Sequence, residues 1–173
     1  MPREILTSHI GRINKLAAEI NQFVPIETKG VTEFRADLAG LFVVAVAASY
    51  ESCVKDTLTN FAASHHPAFG AFTEKNYDRL NSRISREDLF RYTKLFDTAV
   101  SKRYKELLAQ RRVRITKIVG RDIEVSYKQI LDWRHDFAHA GKRNTTIEEA
   151  IITHRLAKHV IFAFGDAFHE LVN

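Results

Sequence analysis

Residues 131–141, LDWRHDFAHAG, bring Arg134, His135, Asp136 and His139 within one short stretch. Two chemistries are open to these residue types at these spacings. His135 and His139 are four apart, so on a helix their imidazoles share a face, about 40° from each other. With Asp136 between them they form a variant of the H-E-x-x-H zinc motif, in which an acid is the general base. Asp136 is one methylene shorter than the motif's glutamate, and a catalytic zinc needs a third protein ligand. His154 and His159 are the candidates nearby, and His154 falls in the apolar stripe of Ile147, Ile151, Ile161 and Phe168, where a packed histidine is expected.

The second chemistry needs no metal. Cleaving RNA through its own 2′-hydroxyl takes a base for that proton, an acid for the leaving 5′-oxygen, and a cation against the charge building on phosphorus. Histidine exchanges protons near neutral pH, and an arginine fork matches phosphate oxygens. One His139 can be base or acid but not both at once. The second role then falls to His135 or to His139 of a second protomer. Arg134 and His139 point about 140° apart on an ideal helix. They converge if Arg134 reaches around, if the helix end distorts, or if two protomers face each other across a two-fold axis.

These side chains need a helix to carry them. On a wheel through 127–140, Arg134 stands in the middle of an apolar stripe, flanked by Ile130, Trp133 and Phe137 and by Tyr127, Leu131 and Ala138. Lys128, Asp132, His135, Asp136 and His139 take the opposite arc. A guanidinium in a core-facing stripe is costly unless it is paired or opens into a polar cleft. Glu51 is the matching anomaly in the stripe Val44, Ala47, Val54, Leu58 and Phe61. We expect Glu51 to approach Arg134, directly or through one intermediary, either as a buried pair that fixes helix register or as part of a site.

The remaining elements read as helices. Pro2 opens the first, with Ile5, Ile13, Leu16, Ile20 and Phe23 as its apolar positions. A long second helix is expected from about Phe34 to Ala63, capped by Thr32, followed by a loop at SHHPAFGAF (64–72). Shorter helices come next, one opening on the capping box Ser85–Asp88. The stretch RRVRITKIVGRDIEV (111–125) allows a small hairpin or a basic loop. A box at Ser126–Gln129 should start the motif helix and Gly141 should cap it. A box at Thr145–Glu148 should start a last helix reaching about Leu171. The expected fold is all-α: one antiparallel helical bundle over residues 1–173, its two C-terminal helices joined by GKRNT.

Composition agrees. Only seven Gly and three Pro are present, too few breakers for a many-turned β fold. The lone Cys53 excludes an internal disulfide or a cysteine-rich zinc knuckle and points to a reducing, cytoplasmic setting. The N-terminus lacks the apolar core of a signal peptide. The most apolar run, Leu38 to Ala48, is short of the roughly 20 residues that span a bilayer, and reads as the middle of a buried helix. The net charge is +5, and Ser101 to Lys117 holds seven Lys/Arg against one Glu. Such a cluster suits either phosphate backbones or a solvated helix face.

The motif also resembles a known family. Arg134-x4-His139, with polar His135 after the arginine and the small-residue ending AHAG, is similar to the R-x4–6-H signature of HEPN domains. Ala47-Ala-Ser-Tyr50-Glu51 on the second helix and the final helix extend the resemblance over most of the chain, closest to the stand-alone RiboL-PSP-like branch. The resemblance implies a metal-independent endoribonuclease with a composite site in a homodimer, and a role as a toxin or anti-phage effector with an antitoxin or defence-system partner. It implies Arg134 and His139 as catalytic, His135 beside them, and Glu51 at an acidic supporting position, with Tyr50 and Asp136 as further support. Arg111, Arg112 and Arg114 lie outside the signature; with Lys142 and Arg143 they are the expected RNA contacts. No metal or cofactor is expected. Other HEPN domains only bind nucleotides, RNA or proteins, so a non-catalytic module is the alternative, and the zinc hydrolase stands third.

Overall fold

The computed structural model describes residues 2–25, 32–77 and 84–169. Among these residues it has seven helices and no strand: α1 (Pro2–Phe23), α2 (Thr32–His65), α3 (Pro67–Tyr77), α4 (Arg86–Phe96), α5 (Thr98–Val119), α6 (Ile123–Ala140) and α7 (Ile147–His169). The all-α fold class is as expected. α2 is the axis of the bundle and packs against α1, α3, α6 and α7. It therefore buries residues around most of its circumference rather than along one stripe; this is the pattern of a core helix. By length and composition alone α2 could cross a membrane, yet half of its most apolar window is buried inside the bundle.

Several boundaries differ from the sequence reading, each for a local reason. Thr32 is the first helical residue of α2 and not its cap. The expected loop at 64–72 is almost wholly helical. His66 alone breaks the chain, its carbonyl accepting from Phe69 and Gly70 and its Nδ1 from the amide of Ala68. Pro67 then occupies a first-turn position, where its missing N–H costs nothing. The expected hairpin or loop at 111–125 is also helical. α5 continues to Val119 and stops at Gly120 in the left-handed region (φ 73), and Asp122 opens α6 by accepting from the amides of Glu124 and Val125.

The box expected at Ser126–Gln129 therefore lies inside α6, where Ser126 donates to the carbonyl of Asp122. The last box is displaced by one residue, because Thr146 and not Thr145 accepts from Glu149. Two expectations hold as stated. Ser85 and Asp88 form a reciprocal capping box, and Gly141 ends α6 at φ 61, the left-handed conformation that favours glycine. α7 is described as far as His169, so the expected end near Leu171 lies outside the described residues.

Two contacts set the register of α2 on α6. A Cβ at Gly40 would overlap the ring of Phe137, so glycine is what lets the two helices close there. Ten residues along, Tyr50 stacks on Tyr127 with ring centroids 5.6 Å apart. The helices run antiparallel, and Tyr50 continues into α7 by a hydrogen bond to His154 Nδ1 at 2.9 Å.

Candidate active site on helix 6

α6 is an unbroken helix through residues 134–139, so the angular separation of its side chains follows helix geometry. His135 and His139 are exposed, with ring centroids 4.7 Å apart at 50°. Arg134 is half-buried, in line around the helix with buried Ile123, Tyr127, Ile130 and Leu131 but close to the helix end. No carboxylate lies within ion-pair distance of its guanidinium among the described residues. Arg134 and His139 do not touch within one chain.

The expected meeting of Glu51 and Arg134 is not made. The antiparallel register places Glu51 level with Ser126, eight residues or about 12 Å along the axis from Arg134. Glu51 instead pairs with Lys55 on its own helix at 3.0 Å. The sequence located two charges in two apolar stripes but could not supply the register, which the Gly40–Phe137 contact fixes. Tyr50 is fully buried, with its hydroxyl on His154, away from the exposed histidines. Burial first, and then Tyr127 and Cys53, raise its pKa well above the ordinary phenol range. Cys53 is buried too, and burial pushes its thiol up to about 12, which removes it as a nucleophile.

The end of α6 is tied down on several sides. The amides of Gly141 and Lys142 close on the carbonyls of Phe137 and Asp136. Asp136 accepts from Asn144 Nδ2 at 2.7 Å, with Lys142 Nζ at 3.9 Å. Arg143 grips Asp37 of α2 through two hydrogen bonds of 2.6 and 2.9 Å. Beneath it, buried Arg35 donates to the carbonyl of Val24 and pairs with Glu148 in the first turn of α7. Asp136 thus braces the 141–146 loop, and Arg143 is committed to α2. Among the described residues Arg35, missed in the sequence, is the buried arginine, and it is paired.

The zinc arrangement finds no third ligand. Among the described residues no three His, Cys, Asp or Glu side chains converge. His154 is 1% exposed and bonded to Tyr50. Burial, then Lys158 and Arg155, lower its pKa to about 4. His159 is half-buried and also lowered to about 4, by burial and then by Lys158, Arg111 and Arg114.

That last influence shows how the basic residues of α5 divide. Arg111 pairs with Asp166 of α7, and Arg114 stands near enough to His159 to affect it. Arg112 faces the other way, bonding Asp122 at 2.5 Å and reaching Glu124 at 3.5 Å. The three of the five expected RNA contacts that lie on α5 therefore do not share one face.

A family model described as RiboL-PSP-HEPN matches residues 8–171. The chain belongs to that HEPN family. No curated protein and no solved structure gives a significant match. Within this HEPN chain, the residues that carry the R-x4-H signature are those on the exposed end of α6. Family membership points to a nuclease or an RNA-binding module.

Proposed function

We propose that this HEPN chain is a metal-independent endoribonuclease whose working site is completed by a second copy of itself. The observation that carries the reading is the pairing of a half-buried guanidinium with no carboxylate partner among the described residues, Arg134, with the exposed His135–His139 pair on one helix end. A free guanidinium is suited to phosphate oxygens, and imidazoles are suited to moving the 2′-hydroxyl and 5′-oxygen protons. Arg134 and His139 diverge within one chain, and a two-fold axis beside the end of α6 would set Arg134 of one protomer against His139 of the other. In this reading Arg134 stabilises charge on phosphorus, and His139 and His135 transfer protons. Lys142 attracts the backbone, while Asp136 and Tyr50 hold the frame. Glu51 has no part in the chemistry. A toxin or anti-phage effector role in the cytoplasm, checked by an antitoxin or defence-system partner, is the biological setting that the family suggests.

The divergence of Arg134 and His139 also supports a second reading, a HEPN module that binds RNA without cutting it. Incubation with total RNA in EDTA separates the two. The catalytic reading expects fragments ending in 2′,3′-cyclic phosphate from the native protein and none from His139→Ala. RNA binding without fragments would favour the module. Cleavage abolished by EDTA and restored by zinc would favour a metal site.

A further inference from the structure

A cavity of about 1050 Å³ lies away from the motif, between α4 and α5 with the start of α6 at one side. Its floor includes Phe90, Leu108 and Val113, and six cations line it: Arg86, Arg91, Lys94, Lys105, Arg112 and Lys117. Two carboxylates share it, Asp122 and Glu124. Both are engaged, Glu124 with Arg86 at 2.5 Å and Asp122 with Arg112. Arg91 is also held by Asp88 of α4 at 2.7 Å, so the lining keeps an excess of three positive charges. Lys94 and Lys117 have no carboxylate partner among the described residues. Arg86 and Lys105 sit over the Phe90 ring at 5.2 and 5.9 Å. Residues 101 to 117 of α5 line the groove, giving it a length of about 24 Å.

The groove runs on toward the histidines. A smaller cavity of about 420 Å³ shares Arg86, Arg112, Asp122 and Glu124 with it and continues to Lys128 and Leu131 of α6. On that helix Glu124, Lys128, Asp132, His135 and His139 follow one another at three- or four-residue steps, a single row on one face. Lys128 holds Asp132 at 2.5 Å, and His135 stands about 10 Å beyond Lys128.

We propose that the α4–α5 groove is a binding site for the single-stranded backbone of the RNA substrate, which leads along the α6 row to the His135–His139 pair. The inference rests on the ribonuclease reading for its substrate. Its length suits the roughly four nucleotides at the short end of single-strand sites. Arg86, Lys105 and Tyr104 crowd the Phe90 ring, the last with centroids 4.8 Å apart, so the site reads phosphates rather than stacking bases. Binding there is independent of sequence. Continuity with the motif row favours RNA over an acidic polypeptide, which the same charge could attract.

The test uses the full chain and a fluorescent 12-nucleotide oligonucleotide with 2′-O-methyl riboses, which cannot be cut by 2′-hydroxyl attack. Its binding is therefore scored whether or not the protein is a nuclease. Changing Lys94, Lys105 and Lys117 together to Ala should weaken binding about tenfold or more and lower the salt dependence of log K by about two. Circular dichroism and melting of the variant should match the native protein, because these lysines are exposed. Where the native protein cleaves RNA, the variant should lose kcat/KM on a long substrate and keep it on a dinucleotide. Unchanged oligonucleotide affinity and salt slope would overturn the proposal. Displacement of the oligonucleotide by poly-L-glutamate at equal charge concentration would also overturn it, in favour of an acidic protein partner.

Discussion

The ring of Phe137 lies against Gly40 so closely that no side chain fits between them. This one contact sets how α6 slides on α2, and it sits between Arg134 and His139 in sequence. Register and motif are thus mechanically linked. Gly40→Ala would force the ring outward and should cost about 1–3 kcal/mol by overpacking. Denaturant melts of Gly40→Ala, Phe137→Ala and the double variant should show a cost for the pair well below the sum of the two. Simple additivity would mean that the contact does not hold the helices.

The start of α6 gives a second prediction. Asp122 accepts from two amides, and Ser126 is an interior helical residue. Asp122→Ala should therefore cost about 1–2 kcal/mol in thermal or denaturant unfolding, while Ser126→Ala costs much less. The reverse order would restore Ser126 as the cap.

Acid should destabilise the fold through α7. Folded His154 stays neutral down to about pH 4, whereas in the unfolded chain it takes a proton near its ordinary value of 6.5. Above 6.5 neither state is protonated there and the residue adds no pH dependence. Between those values the unfolded chain binds more protons, so stability falls as pH falls, by up to about 3 kcal/mol, and levels off below about 4. His159 acts in the same direction. Comparing urea midpoints at pH 7 and pH 4.5, the double variant Tyr50→Phe/His154→Leu should lose less stability on acidification than the native protein. An equal loss would place the acid sensitivity elsewhere.

The loop after α6 yields a fourth prediction. Arg143 and Asp37 are both exposed enough for solvent to screen their bond, so it adds little to stability. Arg143→Ala should therefore hardly change the melting temperature. Because Arg143 is engaged with α2, the change should also lower RNA affinity less than Lys142→Ala does in a binding titration. A larger loss for Arg143→Ala would return it to the RNA interface.

Much of this was legible in the sequence, and the failures have physical causes. The α6 periodicity, the Ser85 box and the Gly141 cap are local signals, and local geometry obeyed them. Pro67 was read as a loop residue although it also suits a helix start, and His66 supplied the cap that the sequence did not advertise. The stretch 111–125 allowed a hairpin or a basic loop, which split α5 and hid the fact that Lys105, Arg112 and Lys117 line one groove. The wheel placed Arg134 in an apolar stripe but said nothing of register, so Glu51 was matched to it over a distance that the packing of Phe137 on Gly40 forbids. Arg35 escaped notice because its partners, Val24 and Glu148, come from two separate elements.

The central claim is that Arg134 and His139 act together across two protomers. It is tested most directly by RNA cleavage in EDTA with Arg134→Ala, His139→Ala and their 1:1 mixture after subunit exchange. Each variant alone should be inactive. The mixture should recover about a quarter of native activity, because half of the dimers are mixed and each of these holds one intact site of two. Inactivity of the mixture, with mixed dimers demonstrated, would contradict a site shared between protomers, and full activity of His139→Ala alone would contradict the site itself.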